Sequence, residues 1–251
     1  MASSWFANSR QKQTADLRLF CFPYAGDLGS AFYRWPDLFR PAIDVYPIVL
    51  PGRGIRSDEV LMRRIDPLLL SLRSALDGLL DRPFAFFGHS LGALLAYELA
   101  CHLAVAKGPE PVALFVSGRR AAHLPPSHRE VHALAEDEFI EAIGQYNGTP
   151  PEILLDPNLM SYVAPVLRAD LEINETYTYR HNGKLNCEIM AFGGESDVFT
   201  SADELSKWTD LSNGKFTLQM MPGDHFFLRT QQAAIISILK QKLEPFCGKQ
   251  E

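Results

Sequence analysis

The chain has 251 residues, of which 47% are hydrophobic and 22% charged, with a formal net charge of -6. This is the make-up of a globular protein able to bury a substantial core. The acidic balance, with no basic stripe interleaved with aromatics, argues against a role in coating nucleic acid. The longest apolar runs, such as Ala93 to Ala96 and Pro67 to Leu70, are far too short to span a bilayer.

Met1 to Thr14 is polar apart from Trp5 and Phe6 and lacks the apolar core of a signal peptide. Cys21, Cys101, Cys187 and Cys247 are scattered, with no C-x-x-C pair and no histidine cluster at zinc-ligand spacing. Cys21 and Cys187 sit in apolar stretches and read as buried, reduced thiols. The expectation is a cytoplasmic, monomeric protein with no metal and no cofactor.

In chain order, short apolar runs alternate with longer amphipathic ones, the mark of βαβ units and a mostly parallel sheet flanked by helices. Leu17 to Phe22 predicts a first strand, halted by Pro23 and Gly26, and Asp44 to Leu50 a second, halted by Pro51-Gly52. Between them Ser30 to Phe39 suits a short helix with Pro36 near its start. Leu69, Leu72, Leu76 and Leu79 recur at helical spacing within Asp66 to Leu80, which Asp81-Arg82-Pro83 ends. Phe84 to Phe87 reads as a central buried strand, Leu91 to Val105 as a helix, and Pro111 to Ser117 as a strand.

The rhythm breaks between Arg119 and Arg180, where helical patterns at Leu134 to Ile143 and Leu159 to Ala169 and the turn signal Asn147 to Pro151 appear without a convincing strand. An insertion of this kind reads as a helical lid over residues 120–180 within a single domain spanning 1–251. The alternation then resumes with a strand at Asn186 to Phe192, a helix at Ala202 to Trp208, a strand at Lys215 to Met221 and a closing helix at Thr230 to Phe246.

Gly88-His-Ser-Leu-Gly92 matches G-x-S-x-G, and it directly follows a predicted strand and opens a predicted helix. That setting is the nucleophile elbow of the α/β-hydrolase fold, in which a strained turn lifts a serine above the sheet. Ser90 is the expected nucleophile, flanked by glycines because side chains two residues away would collide. A serine hydroxyl needs a base to take its proton, and in this fold the base follows the last strand and the acid the strand before it.

His225, in Pro222-Gly-Asp-His225, is the one of seven histidines so placed. His89, His102, His123, His128, His132 and His181 are read as packing or surface groups. Gly193-Gly-Glu-Ser-Asp197 supplies the acid. Asp197 is preferred for its reach, ahead of Glu195 and then Asp203, and its task is to hold the imidazole tautomer. An oxyanion hole calls for two backbone N–H groups, one from Leu91 and one from the loop Pro23 to Asp27.

Phe22-Pro-Tyr-Ala-Gly26, Leu50-Pro-Gly-Arg-Gly54, the Gly88–Gly92 elbow, Leu167-Arg-Ala-Asp-Leu171 and Gly223-Asp-His-Phe-Phe-Leu228 occur in this order. In that series the chain resembles the type II thioesterases, free-standing editing enzymes of modular polyketide and nonribosomal peptide synthesis. The resemblance implies a Ser90–Asp197–His225 triad with Ala25 and Leu91 as oxyanion donors. The implied substrates are acyl groups on the phosphopantetheine arm of acyl or peptidyl carrier proteins, hydrolysed through an acyl-Ser90 intermediate. The related medium-chain thioesterases of animal fatty acid synthesis share much of the pattern.

One departure is Asp27, where the family usually has a second glycine; it is expected to set a carboxylate near the active-site mouth. Arg119 and Arg120 are read either as contacts for an acidic carrier protein or as solvated loop charges. Competing readings are a carboxylesterase, told apart by relative turnover of esters and thioesters, and an inactive hydrolase-fold binding module, told apart by labelling of Ser90 with an organophosphonate.

Overall fold

The computed structural model describes residues 5–8, 14–39, 41–126, 129–146 and 148–248. The chain runs β1 (Leu17–Phe22), α1 (Trp35–Leu38), β2 (Ile43–Pro47), α2 (Ile65–Leu76), β3 (Phe84–His89), α3 (Leu91–Val105) and β4 (Ala113–Ser117). It continues through α4 (Glu136–Gly144), α5 (Pro151–Leu154), α6 (Pro157–Glu175), β5 (Glu188–Gly194), α7 (Ala202–Ser206), β6 (Phe216–Met221), α8 (Phe227–Thr230) and α9 (Gln232–Leu243). The six strands form one all-parallel sheet in the order β2-β1-β3-β4-β5-β6.

From β1 to β5 the sheet is buried on both faces, which is why these strands are largely apolar runs, whereas the edge strand β6 is half-buried with Gln219 exposed. Side chains alternate across it with the two-residue period of extended backbone. Phe20, Phe22, Phe86, Leu114 and Ile189 pack on one face with α2 and α3. Leu19, Cys21, Phe87, Phe115 and Phe192 pack on the other with Trp35 of α1 and Ile235 and Leu239 of α9. Helix α3 is sealed on nearly every side and is correspondingly apolar all round.

Strand order reverses between β1 and β3, and parallel sheets open a crevice beyond the strand ends at such a point. The register pairs Phe22 with Gly88, so the loop after β1 and the turn after β3 emerge side by side there.

Several boundaries differ from the sequence reading, each for a local reason. Helix α2 stops at Leu76 rather than Leu80, because Gly78 adopts φ +78° and ends the helix in the left-handed region. Leu79 and Leu80 still pack on the core, which explains their helical spacing. Strand β2 ends at Pro47, and pairing passes to the N-terminal segment, where the Val49 N–H donates to the Trp5 carbonyl (2.8 Å) and Phe6 bridges Ile48. Phe6 is buried, edge-on to Tyr46 at 5.2 Å, so this polar segment contributes to the core.

Between β4 and β5 stand α4, α5 and α6, held by a cluster of their own that includes Phe139, Ile143, Met160, Val163 and Leu167. Helix α6 is longer than its predicted core and runs through Pro165. Its start is fixed by the Asp156 carboxylate, which accepts from the N–H groups of Asn158 (2.8 Å) and Leu159 (3.2 Å). Of the sequence features assigned to this insertion, His128 and Asn147 lie outside the described residues. Among the described residues, no helix is long and apolar enough to cross a membrane.

Candidate active site

Ser90 sits between β3 and α3 with φ 54° and ψ -117°. A non-glycine residue at positive φ is a strained arrangement, kept here by its surroundings. The Ser90 N–H donates to the Ser117 carbonyl at 2.8 Å. A Cβ at Gly88 would lie 2.1 Å from the Gly92 carbonyl oxygen, and one at Gly92 would lie 2.1 Å from that of Phe22. Both clashes are with backbone, which cannot step aside. Gly92→Ala is therefore expected to cost on the order of 1–3 kcal/mol through overpacking and to lower activity with it. Thermal unfolding beside an esterase assay checks this.

His225 follows β6, and its Nδ1 lies 2.8 Å from Asp197 Oδ2. The Asp197 side chain is fully buried, while His225 keeps 13% of its side-chain surface exposed. The second Asp197 oxygen accepts the Phe199 N–H at 2.8 Å, so the carboxylate is held at both ends. With Nδ1 turned to the carboxylate, the other ring nitrogen of His225 is left for the cavity, which Ser90, Leu91, Ala25 and His225 line together. Glu195 and Asp203 are exposed on the surface. Strand β5 runs on through Gly193 and Gly194, paired with Met220 and Met221, so the acid loop starts nearer the site than the sequence reading placed it.

The other described histidines have separate partners. His89 is buried with Nδ1 2.9 Å from Ser117 Oγ, and burial holds its imidazole well below the usual value, leaving it neutral. His132 bonds Glu175 at 2.6 Å, His123 faces Asp210 at 3.6 Å, and His181 packs on Tyr179. His102 lies within α3.

The loop after β1 is organised by residues to which the sequence assigned no role. The Gly26 N–H donates to Asp170 Oδ2 at 2.8 Å. Both oxygens of that carboxylate take a two-pronged grip from Arg53, with Nη2 to Oδ1 at 2.8 Å. Arg53 is 3% exposed and Asp170 0%. Two recurring segments, Leu50–Gly54 and Leu167–Leu171, thus meet beneath the loop that carries Ala25. Their recurrence was the available signal, but only the folded chain shows what they hold.

Asp27 does not reach the cavity mouth. It is 4% exposed, and its carboxylate accepts from the N–H groups of Gly29 (3.1 Å), Ser30 (3.1 Å) and Ala31 (2.9 Å). The left-handed positions in this loop are Gly26, at φ +78°, and Gly29, at φ +98°. Arg119 and Arg120 are half-buried and have partners within the chain. Arg119 donates to Asn174 Oδ1, and its backbone carbonyl accepts from the Trp208 indole at 2.8 Å. Arg120 donates to the Leu124 carbonyl at 3.3 Å and pairs with Glu204 at 3.6 Å.

The cavity measures about 670 Å³ and is partly roofed by Ile143, Leu167 and Leu171 of the inserted helices. A serine, a carboxylate-held imidazole and the free amides at the start of α3 are the groups that acyl transfer requires.

Comparison with known proteins agrees with this chemistry. The thioesterase domain model matches residues 17–243. The chain is 38% identical to the gramicidin S biosynthesis protein GrsT of Aneurinibacillus migulanus, over 96% of this chain and 94% of that one. Among solved structures, the thioesterase RedJ of the prodiginine pathway in Streptomyces coelicolor superposes with a TM-score of 0.85 at 36% identity, covering 92% of this chain and 87% of its own. The type II thioesterase BorB of the borrelidin cluster superposes at 0.88 with 32% identity, covering 97% and 99%. This chain is a member of the thioesterase family, built on the α/β-hydrolase fold.

Proposed function

We propose that this chain hydrolyses acyl groups from the phosphopantetheine arm of acyl or peptidyl carrier proteins, clearing misprimed or stalled chains in modular synthesis. The observation that carries the reading is the opening of one cavity onto the strained Ser90 and the His225–Asp197 pair in a chain of thioesterase lineage. The relatives' roles in gramicidin S, prodiginine and borrelidin biosynthesis support the carrier-bound substrate.

In this reading Ser90 Oγ adds to the thioester carbonyl while the free ring nitrogen of His225 takes its proton. Asp197 stabilises the imidazolium that forms and holds its tautomer. Negative charge collects on the carbonyl oxygen between the N–H groups of Ala25 and Leu91, each such donor being worth about 2.7–4 kcal/mol. The C–S bond then breaks, the thiolate receives the proton from His225, and acyl-Ser90 remains. Water gives its proton to His225, attacks the ester and releases the free acid, and the proton returns to Ser90. The chain acts as a single domain, with 120–180 as the lid over the site, and works as a monomer in the cytoplasm.

Asp197→Asn keeps the shape of the site but favours the wrong imidazole tautomer, and kcat is expected to fall about 10⁴-fold. Relative turnover tests the substrate class: the reading expects kcat/KM on an acyl-pantetheine thioester to exceed that on the matching oxygen ester. The reverse order would favour a carboxylesterase.

A further inference from the structure

Beside the triad lies a second histidine that the reaction above does not use. His89 closes β3, is fully buried, and pairs in register with Ser117 at the end of β4. Burying a ring nitrogen without a partner is costly, and such a group calls for a reason. His89 Nε2 is of this kind. Among the described residues it has no hydrogen-bond partner of good geometry, and the backbone of His225 faces the ring. An apolar side chain would fill the same space without that cost. The neighbouring chain is also fitted to this ring: Gly118 stands at φ +59°, and a Cβ there would lie 2.6 Å from His89 Cε1.

What the ring touches supplies the reason. Its centroid lies 5.2 Å from that of His225, within the range of packed aromatic pairs. The bond from His225 Nδ1 to Asp197 fixes one edge of the base but leaves its ring free to tip about that contact. Phe199 and Phe226 flank it edge-on at 5.5 and 5.3 Å, yet both are half-buried and lie outside the sheet. Of the three neighbours, His89 is the one fully buried and built into a strand. A reacting group is held most closely where its support is itself locked by packing and hydrogen bonds.

His89 is locked in this way. Its Nδ1 lies 2.9 Å from Ser117 Oγ, and the carbonyl of the same Ser117 accepts the Ser90 N–H at 2.8 Å. One residue of β4 thus fixes the nucleophile through its backbone and the ring beside the base through its side chain. Burial first, and then the charge of a protonated His225, keep His89 neutral, so no second cation arises when the base takes its proton.

We propose that His89 is a positioning residue for the general base: with Ser117 it forms a brace that sets the His225 imidazole at a fixed place relative to Ser90. His89 does not line the cavity and acts only through His225. The assignment rests on the reading of His225 as the base and adds what holds it there.

The test compares Ser117→Ala, His89→Leu and the double variant on p-nitrophenyl butyrate. Active sites are counted by organophosphonate titration, so that misfolded protein is left out. Ser117→Ala keeps the backbone carbonyl, and its kcat is expected to fall about tenfold through the loss of one hydrogen bond. His89→Leu is expected to lower kcat about 10²-fold, the scale on which misplacing a reacting group by about 1 Å acts. KM should stay unchanged in both. The double variant is expected to be no slower than His89→Leu, because Ser117 acts through that ring. Multiplied losses in the double variant, losses confined to KM, or a kcat per active site equal to wild type would overturn the brace. His89→Asn repeats the test with a smaller side chain, keeping an amide where Nδ1 stood but no ring against His225. Its kcat per active site is expected to fall as for leucine, and full activity in it would equally overturn the brace. A His225→Ala variant as active as wild type would instead overturn the reading of His225 as the base.

Discussion

Replacing Ser90 by alanine is expected to lower turnover by about 10⁶-fold, the scale on which loss of a triad nucleophile acts. The substitution removes one oxygen and leaves the fold intact, since the turn is fixed by Gly88, Gly92 and the Ser90 N–H rather than by the hydroxyl. It also relieves nothing, because alanine inherits the positive φ. Unchanged thermal unfolding with lost hydrolysis would separate chemistry from folding. A loss of only tenfold would place the nucleophile elsewhere.

Asp170→Ala is expected to be the most destabilising single change near the site. It strands the Arg53 guanidinium, 3% exposed, without its carboxylate, and breaking a buried pair from one side costs about 3–5 kcal/mol. At roughly 2–4 °C per kcal/mol for a chain of this size, the midpoint should drop by about 6–20 °C. The Gly26 N–H loses its acceptor in the same stroke, so the loop bearing Ala25 should loosen and kcat should fall in whatever protein remains folded.

The double variant Arg53→Met with Asp170→Leu separates these effects. Removing both charges together avoids the stranded cation, so much of the stability should return. The Gly26 contact does not return, and kcat should stay low. Full recovery of kcat along with stability would show that the pair serves the fold alone.

The strands were legible because a sheet buried on both faces leaves unbroken apolar runs, such as Leu19 to Phe22 and Phe84 to Phe87. Ser90 was legible because an elbow needs glycine at two fixed neighbours, which leaves a short, local pattern. His225 and Asp197 followed from chain order, and the folded chain sets them in hydrogen-bond contact across 28 residues.

The support beneath the β1 loop could not be read in the same way. Arg53 and Asp170 are 117 residues apart, and Gly26 is 144 from Asp170, so no local rule links them. Asp27 misled for a related reason. Its position suggested a group at the mouth, but a short carboxylate satisfies the nearest backbone amides first, and three of them lie within four residues. Arg119 and Arg120 looked like loop charges because sequence gives no sign of the Asn174, Leu124 and Glu204 partners that hold them.

The most direct test of the central claim is the intact mass of an acetyl-loaded carrier protein incubated with wild-type enzyme and with Ser90→Ala. The account predicts that wild type returns the carrier to its free-thiol mass while the variant leaves it loaded. A carrier that stays acetylated in the presence of wild-type enzyme able to cleave simple esters would contradict it.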